Sequence, residues 1–150
     1  THDLQEKNPL AFCIMNGGLV LSGALLPKLP FPLQLDYFHA TRYRMETSGT
    51  TLDWRVKPET NIKDRHVLLI DDILDEGKTL AELIKYCEEN GAASVSSAVL
   101  VDKQHDRKTS EGFSADYCGL KAEDRFLFGY GMDYKGYWRN APGIYAVKGL

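Results

Sequence analysis

Four acids, Asp71, Asp72, Asp75 and Glu76, stand directly before Gly77-Lys78-Thr79 in the stretch VLLIDDILDEGKTL. A Gly-Lys-Thr triplet suggests phosphate, whose charge those acids should repel. A P-loop needs a further glycine separated by four residues from the triplet. Asp72 occupies that place, so the pattern fails. An Asp-Asp-x-x-Asp magnesium clamp of the prenyl-synthase kind belongs to all-helical chains, and this chain carries too many strand and glycine signals. A solvated turn that caps a helix accounts for one or two acids, through the free N–H groups and the dipole at a helix start. It leaves two adjacent acids at the end of an apolar strand unexplained. A sugar phosphate uses all of them. Ribose hydroxyls donate to carboxylates, and N–H groups at a helix start bind phosphate oxygens. Gly77 lets the backbone come close, while Lys78 and Thr79 fall in the first helical turn.

Such a site needs a buried strand to carry the acids and a helix to receive the phosphate. HVLLI (66–70) is a continuous apolar run, as expected of a parallel strand buried on both faces. In KTLAELIKYCEENGA (78–92), Leu80, Leu83, Ile84 and Cys87 follow i, i+3, i+4, i+7 spacing, and Asn90-Gly91 supplies a stop. SVSSAVLVDK (94–103) reads as the next strand. Upstream, AFCIMNGG (11–18) reads as a short buried strand closing in a glycine turn, and LVLSGALLPKL (19–29) as a helix over a sheet face. FPLQLDYFHATRY (31–43) reads as a strand after Pro32, and RMETSGTTLDWRV (44–56) as a long hairpin or a mobile loop. ADYCGL, RFLFGYG and GIYAVK are three further short strand candidates. This alternation predicts an α/β domain with a largely parallel sheet. Its binding crevice should lie outside the carboxyl ends of the strands. The acids after Ile70, and Lys103 after its own strand, then share one mouth.

The 150 residues fit a single domain, 1–150, with no internal repeat. A net charge of −3 argues against nucleic-acid binding through bulk charge. No apolar run reaches membrane-spanning length, and no signal peptide is visible. Cys13, Cys87 and Cys118 are far apart, in apolar contexts and without CxxC spacing. They read as buried free thiols in a reducing, cytoplasmic setting. His2, His39, His66 and His105 lack metal-ligand spacing and read as surface or structural residues.

Two aliphatics, two acids, two aliphatics, an acid and then Gly-x-Thr resemble the phosphoribosyl diphosphate motif of the type I phosphoribosyltransferases. Asn16-Gly17-Gly18 resembles the pyrophosphate loop of that family, and RYRMETSG its flexible catalytic loop. LVDK resembles the end of the strand that carries a lysine reading a purine O6, and FLFGYGMDYKGYWRN (126–140) the purine-binding segment. Together, from about residue 11 onward, these stretches resemble the hypoxanthine-guanine phosphoribosyltransferases. Two positions depart from the pattern: Asn16 stands where many relatives carry Lys, and Glu76 where a small hydroxyl residue is common. A carboxylate so near a 5′-phosphate should point outward.

The resemblance implies a Rossmann-like type I phosphoribosyltransferase fold, with a central mostly parallel sheet flanked by helices, a flexible catalytic loop and a small hood. The N-terminal hood segment would be short or missing here. The implied reaction is purine salvage from 5-phosphoribosyl 1-diphosphate and a 6-oxopurine base. Asp71 and Asp72 would hold the ribose hydroxyls directly or through Mg²⁺, with Asp133 contributing to the metal shell. Asp75, Glu76, Gly77, Lys78 and Thr79 would cradle the 5′-phosphate, and Asp75 would manage the proton at purine N7. Lys103 would donate to O6, Phe126 would stack on the base, and Leu127 would offer backbone groups to its edge. Asn16, Gly17 and Arg139 would meet the diphosphate, and Tyr43 would close over the site. A non-proline cis peptide is expected at Asn16–Gly17 when ligand is bound. A homodimer or homotetramer is the implied assembly. A xanthine-preferring enzyme and a non-catalytic nucleotide-binding regulator of the same fold are the alternatives. Intact Asp75 and Arg139, and the lack of a DNA-binding module, speak against the regulator.

Overall fold

The computed structural model describes the backbone of residues 1–45 and 49–150 and the side chains of residues 1–41 and 52–150. The chain runs β1 (Leu10–Ile14), α1 (Leu19–Leu25), a 3-10 turn (Leu26–Lys28), β2 (Gln34–Met45), β3 (Gly49–Val56), β4 (His66–Leu74), α2 (Lys78–Glu89), β5 (Ser94–Lys103), β6 (Tyr117–Ala122), β7 (Leu127–Phe128) and β8 (Tyr145–Ala146). Strands β3-β2-β1-β4-β5-β6 form one six-stranded sheet. All its pairings are parallel except β2 with β3. β7 and β8 make a separate antiparallel pair.

Side chains alternate across a strand, and here both faces are covered. Leu10, Phe12 and Ile14 of β1 and Val67 and Leu69 of β4 pack with Leu80, Leu83 and Cys87 of α2. Ala11, Leu68, Ile70 and Ala98 belong to the opposite core, under Leu21 and Leu25 of α1. This two-sided burial explains why the central strands read as unbroken apolar runs. Phe38 meets Trp54 edge to face at 5.7 Å, and Trp54 meets Tyr86 at 4.7 Å. That aromatic row ties β3 to β2 and α2, and the antiparallel pairing of β2 with β3 bears out the hairpin alternative for residues 44–45 and 49–56, with 46–48 outside the described residues.

Three expectations change. β4 does not stop at Ile70 but runs to Leu74, because β5 extends beside it and pairs Asp71 with Val99 and Ile73 with Val101. Asp71 and Asp72 therefore belong to the strand and share its rigidity. The helix expected over 19–29 ends at Leu25, and Pro27 enters a 3-10 turn instead. Proline cannot donate the N–H that a continuing α-helix requires. Cys118, read as buried, is exposed, because β6 is an edge strand with only its last residue partly covered.

Burial pushes the Cys87 thiol up to about 12, with the Glu88 charge adding to it, and burial also raises Cys13. A thiol reacts as its thiolate. Iodoacetamide at pH 8 should therefore label Cys118 alone in the native protein, with Cys13 and Cys87 joining after denaturation. Peptide mapping of the labelled chain checks this.

Candidate active site

Asp71 and Asp72 of β4, residues 75–79 of the turn into α2, and Asn16 and Gly17 after β1 line one cavity of about 470 Å³. Asp133 and Arg139 reach it from the segment before β8. An adjoining cavity of about 150 Å³ is lined by Lys103, Phe126, Leu127 and Met132, and shares Asp72, Ile73, Asp75 and Asp133 with the first. The fold thus gathers all the predicted site residues whose side chains are described. Tyr43, expected to close over the site, lies outside them. His39, read as surface or structural, also lines the larger cavity, at the point where the β2–β3 register shifts.

The turn after β1 is shaped by close approaches. A side chain at Gly17 would run into the Asp72 carboxylate, and one at Gly18 into the Ile70 carbonyl. Met15 N–H still donates to Phe38 O at 3.0 Å, and Gly18 N–H closes the turn on Ile14 O at 2.8 Å. The non-proline cis peptide lies at Met15–Asn16, one bond before the expected Asn16–Gly17. The ladder ends at Met15, so the chain begins to reverse there. Asn16 stays exposed at the mouth.

The turn into α2 offers donors. Gly77 has φ 84°, a left-handed conformation that glycine adopts without penalty. A Cβ there would also sit 2.6 Å from the Phe113 ring. The first-turn N–H groups of α2 have no intrahelical partner, and no acid stands in that turn. Glu76, expected to point outward, pairs with Lys78 at 2.8 Å, and the Lys78 hydrogen bond lowers its pKa.

The acids sit in unequal surroundings. Burial, followed by the neighbouring Asp72 charge, pushes the Asp71 carboxyl well above its usual range, with Arg139 acting in the opposite sense. Asp71 Oδ1 accepts from Asp72 N–H at 2.8 Å, and Asp72 Oδ1 from Ile73 N–H at 2.7 Å. Asp75 meets His105 Nε2 at 2.7 Å through Oδ1 and Lys103 Nζ at 3.3 Å through Oδ2. Partial burial raises the Asp75 carboxyl, but the His105 hydrogen bond and then the Lys103 charge outweigh it, so the pKa is lowered.

Phe126 presents a half-exposed ring, braced edge-on by Tyr134 at 5.7 Å. Its carbonyl accepts from Val147 N–H at 2.9 Å, which ties it to the C-terminal segment. Arg139 donates to Gly131 O at 2.6 Å and lies 3.6 Å from Asp133 Oδ1. Among the described residues, no three or more of His, Cys, Asp and Glu are disposed to hold a metal ion by themselves.

Besides His39, two residues at the site escaped the sequence reading. His105 was read as surface or structural, yet its side chain is only 2% exposed and lies against Asp75. Lys108 is also largely buried. Its ammonium donates among Asp75 O at 2.7 Å, Lys103 O at 2.8 Å, Asp102 Oδ1 at 2.9 Å and Leu74 O at 3.2 Å. The only signal was a polar run, DKQHDRK, at a buried strand end. Nothing in its spacing says which side chains fold back.

Residues 1–135 match the phosphoribosyl transferase domain. The chain belongs to the phosphoribosyltransferase family. Phosphoribosyltransferases similar to it include the hypoxanthine-guanine-xanthine phosphoribosyltransferase of Tritrichomonas foetus, 34% identical over 148 residues, covering 99% of this chain and 80% of the relative. The hypoxanthine-guanine phosphoribosyltransferase of Streptococcus pneumoniae is 33% identical over 149 residues, covering 99% and 82%. Among solved phosphoribosyltransferases, a hypoxanthine phosphoribosyltransferase from Staphylococcus aureus superposes with a TM-score of 0.89 at 28% identity, covering 98% of this chain and 79% of that one. These relatives place the chain in the hypoxanthine-guanine branch of the phosphoribosyltransferases.

Within this phosphoribosyltransferase, Lys108→Met keeps the length of the stem and removes the ammonium from its carbonyls and from Asp102. Breaking a buried charge pair from one side costs about 3–5 kcal/mol. Urea denaturation should show a loss of that size, with little change in the slope of the transition.

Proposed function

We propose that this protein transfers the 5-phosphoribosyl group of 5-phosphoribosyl 1-diphosphate to hypoxanthine or guanine, giving IMP or GMP and pyrophosphate. The observation that carries this reading is the junction of the two cavities at Asp72, Ile73, Asp75 and Asp133. Helix N–H groups and Gly77 stand on the sugar-phosphate side, and Lys103 and Phe126 on the base side. Asp71 and Asp72 orient the ribose hydroxyls, while Asn16, Gly17 and Arg139 face the diphosphate. Phe126 stacks on the purine and Leu127 meets its edge with backbone groups.

In the transfer, purine N9 bonds to C1′ as the bond from C1′ to the diphosphate oxygen breaks. C1′ passes through an oxocarbenium-like state, as in glycoside chemistry. Attack through N9 by a base protonated at N7 leaves a proton that must depart. Asp75, ionised because its pKa is lowered, accepts it. Asp71, Asp72 and Asp133 are the carboxylates proposed to meet Mg²⁺. They do not form a closed cage, which suits an ion that binds one or two carboxylates together with substrate phosphates and keeps several waters. When bound, that ion offsets the charge of the diphosphate. A homodimer or homotetramer in the cytoplasm completes the proposal. No helix among the described residues is long and apolar enough to cross a membrane.

A xanthine-using enzyme is a second reading, favoured by the name of the Tritrichomonas foetus relative. A spectrophotometric screen of hypoxanthine, guanine, xanthine, adenine and uracil separates the two. Adenine should be rejected in either case. Lys103 has only donors, is largely buried, and would face an adenine amino group with another donor. That mismatch costs about 1–3 kcal/mol, so kcat/KM for adenine should fall roughly 5- to 150-fold below that for guanine. Equal values would remove Lys103 from the base site.

Asp75→Asn keeps an oxygen for His105 but cannot take a proton from N7. The single-turnover rate should fall by roughly 10²–10⁴, the span for losing a general acid or base. Binding of phosphoribosyl diphosphate should persist, since Asp71, Asp72 and the helix start are untouched. A rate within about threefold of the parent, far short of that span, would show that Asp75 is only a turn residue.

A further inference from the structure

We infer that His105 is a positioning residue for the transfer: its Nε2–H pins Oδ1 of Asp75 and leaves Oδ2 as the oxygen that meets the purine. The inference rests on the role proposed for Asp75. Arg107 N–H donates to His105 Nδ1 at 3.0 Å. A backbone N–H can only donate, so Nδ1 carries a lone pair and the proton of the neutral ring sits on Nε2. That proton lies on the 2.7 Å line to Asp75 Oδ1. One tautomer therefore satisfies both ring nitrogens of a side chain that is nearly sealed from water.

The consequence for Asp75 is asymmetric. Its Oδ1 is held by a group from the loop after β5 that does not face the small cavity, since His105 is not among the residues lining it. Its Oδ2 is held by Lys103, which does line it. A base that offers O6 to Lys103 draws that ammonium off Oδ2 and exposes this oxygen to N7. His105 stays in place and keeps the carboxylate from turning. The loop that carries His105 is fastened on each side. Gln104 N–H donates to Ala122 O at 2.8 Å, and Arg107 forms a two-pronged pair with Asp124 at 2.7 and 3.0 Å.

The charged groups around this pair are known from each side. Asp75 faces Lys103 and His105, has the Lys108 ammonium on its carbonyl, and shares the small cavity with Asp72 and Asp133. Glu76 lies beside it in the chain and feels its charge, as does Arg107. Asp124 is paired with Arg107 and feels the charge of Lys103. Of these groups, only His105 and Lys103 give hydrogen bonds to the Asp75 carboxylate. Loss of the His105 donor must raise the Asp75 pKa, because a donor favours the ionised form. A base works when ionised, so the acid limb of activity must move to higher pH.

The test compares His105→Leu and His105→Gln in the full chain. His105→Leu removes the donor, whereas the Gln amide can still reach Oδ1. In His105→Leu, the acid limb of kcat/KM for guanine should rise by on the order of one pH unit. Its single-turnover rate should fall about tenfold, below the 10²–10⁴ for losing the base itself. KM for phosphoribosyl diphosphate should stay within about twofold, because a positioning role on the base side does not touch uniform binding of the sugar. His105→Gln should recover most of both changes. In an Asp75→Asn background, His105→Leu should add no further slowing. A parental pH profile in His105→Leu, or a His105→Gln as impaired as His105→Leu, would overturn the inference. If Asp75→Asn itself turns over normally, the role of Asp75 has failed and this inference falls with it. If Asp75→Asn is slow and His105→Leu is normal, only the inference about His105 falls. Long-range ¹H–¹⁵N spectra of the parent test it without a variant. His105 should show a protonated Nε2 and a bare Nδ1, and the opposite tautomer would overturn it.

Discussion

A single buried ammonium draws the ends of two parallel strands together. Lys108 Nζ has three protons and lies within 3.2 Å of four oxygens, three of them main-chain carbonyls at the ends of β4 and β5. Parallel strands that end at a cleft leave carbonyls with no ladder partner, and a buried carbonyl without a partner is costly. Lys108 fills that need and brings a charge that Asp102 balances. Two of the carbonyls it holds belong to Asp75 and Lys103 themselves. The backbone that carries the carboxylate proposed to manage a proton and the ammonium proposed to read the base is therefore held by one contact behind them.

Around that fixed point, the charges are sorted by what each faces. Carboxylates line the centre, where a sugar would offer hydroxyls. The start of α2, with no acid in its first turn, points its bare N–H groups where a phosphate would lie. The one acid that could disturb the phosphate side, Glu76, is paired with Lys78. The acids next to Gly77 are thus no contradiction. Acceptors at the end of β4 and donors at the start of α2 are separated along the turn. Glycine allows the close approach at this mouth, since any side chain at Gly17 would occupy the space of the Asp72 carboxylate.

Much of this was legible in the chain. The period of Leu80, Leu83 and Cys87 marked α2 and the face it buries, and β5 spans Ser94–Lys103 as read. The acids and Gly77-Lys78-Thr79 stood out by residue type and local order, because they belong to one short contiguous element, whereas Asn16-Gly17-Gly18, Lys103 and the Phe126 segment entered through the family resemblance. The readings that failed share another cause. The end of β4 depends on whether β5 runs beside it, which no local pattern states. Pro27 marks a break, but its 3-10 turn depends on how α1 leaves the sheet. Cys118 carries the same apolar neighbours as a core cysteine, yet an edge strand leaves it in water.

The sequence by itself determined the alternation of strands and helices, the two-sided burial of the central strands and a run of acids and helix-start donors whose chemistry suits a sugar phosphate. Those properties follow from hydrophobic period and from side-chain chemistry, both of which are local. Only the tertiary structure decided which polar residues beyond β5 turn inward. His105 and Lys108 are separated from Asp75 by 30 and 33 residues, and no period or motif connects them. They meet because β4 and β5 are neighbours in the sheet and the loop after β5 folds back over their ends, bringing Lys108 to the carbonyls and His105 to the Asp75 carboxylate.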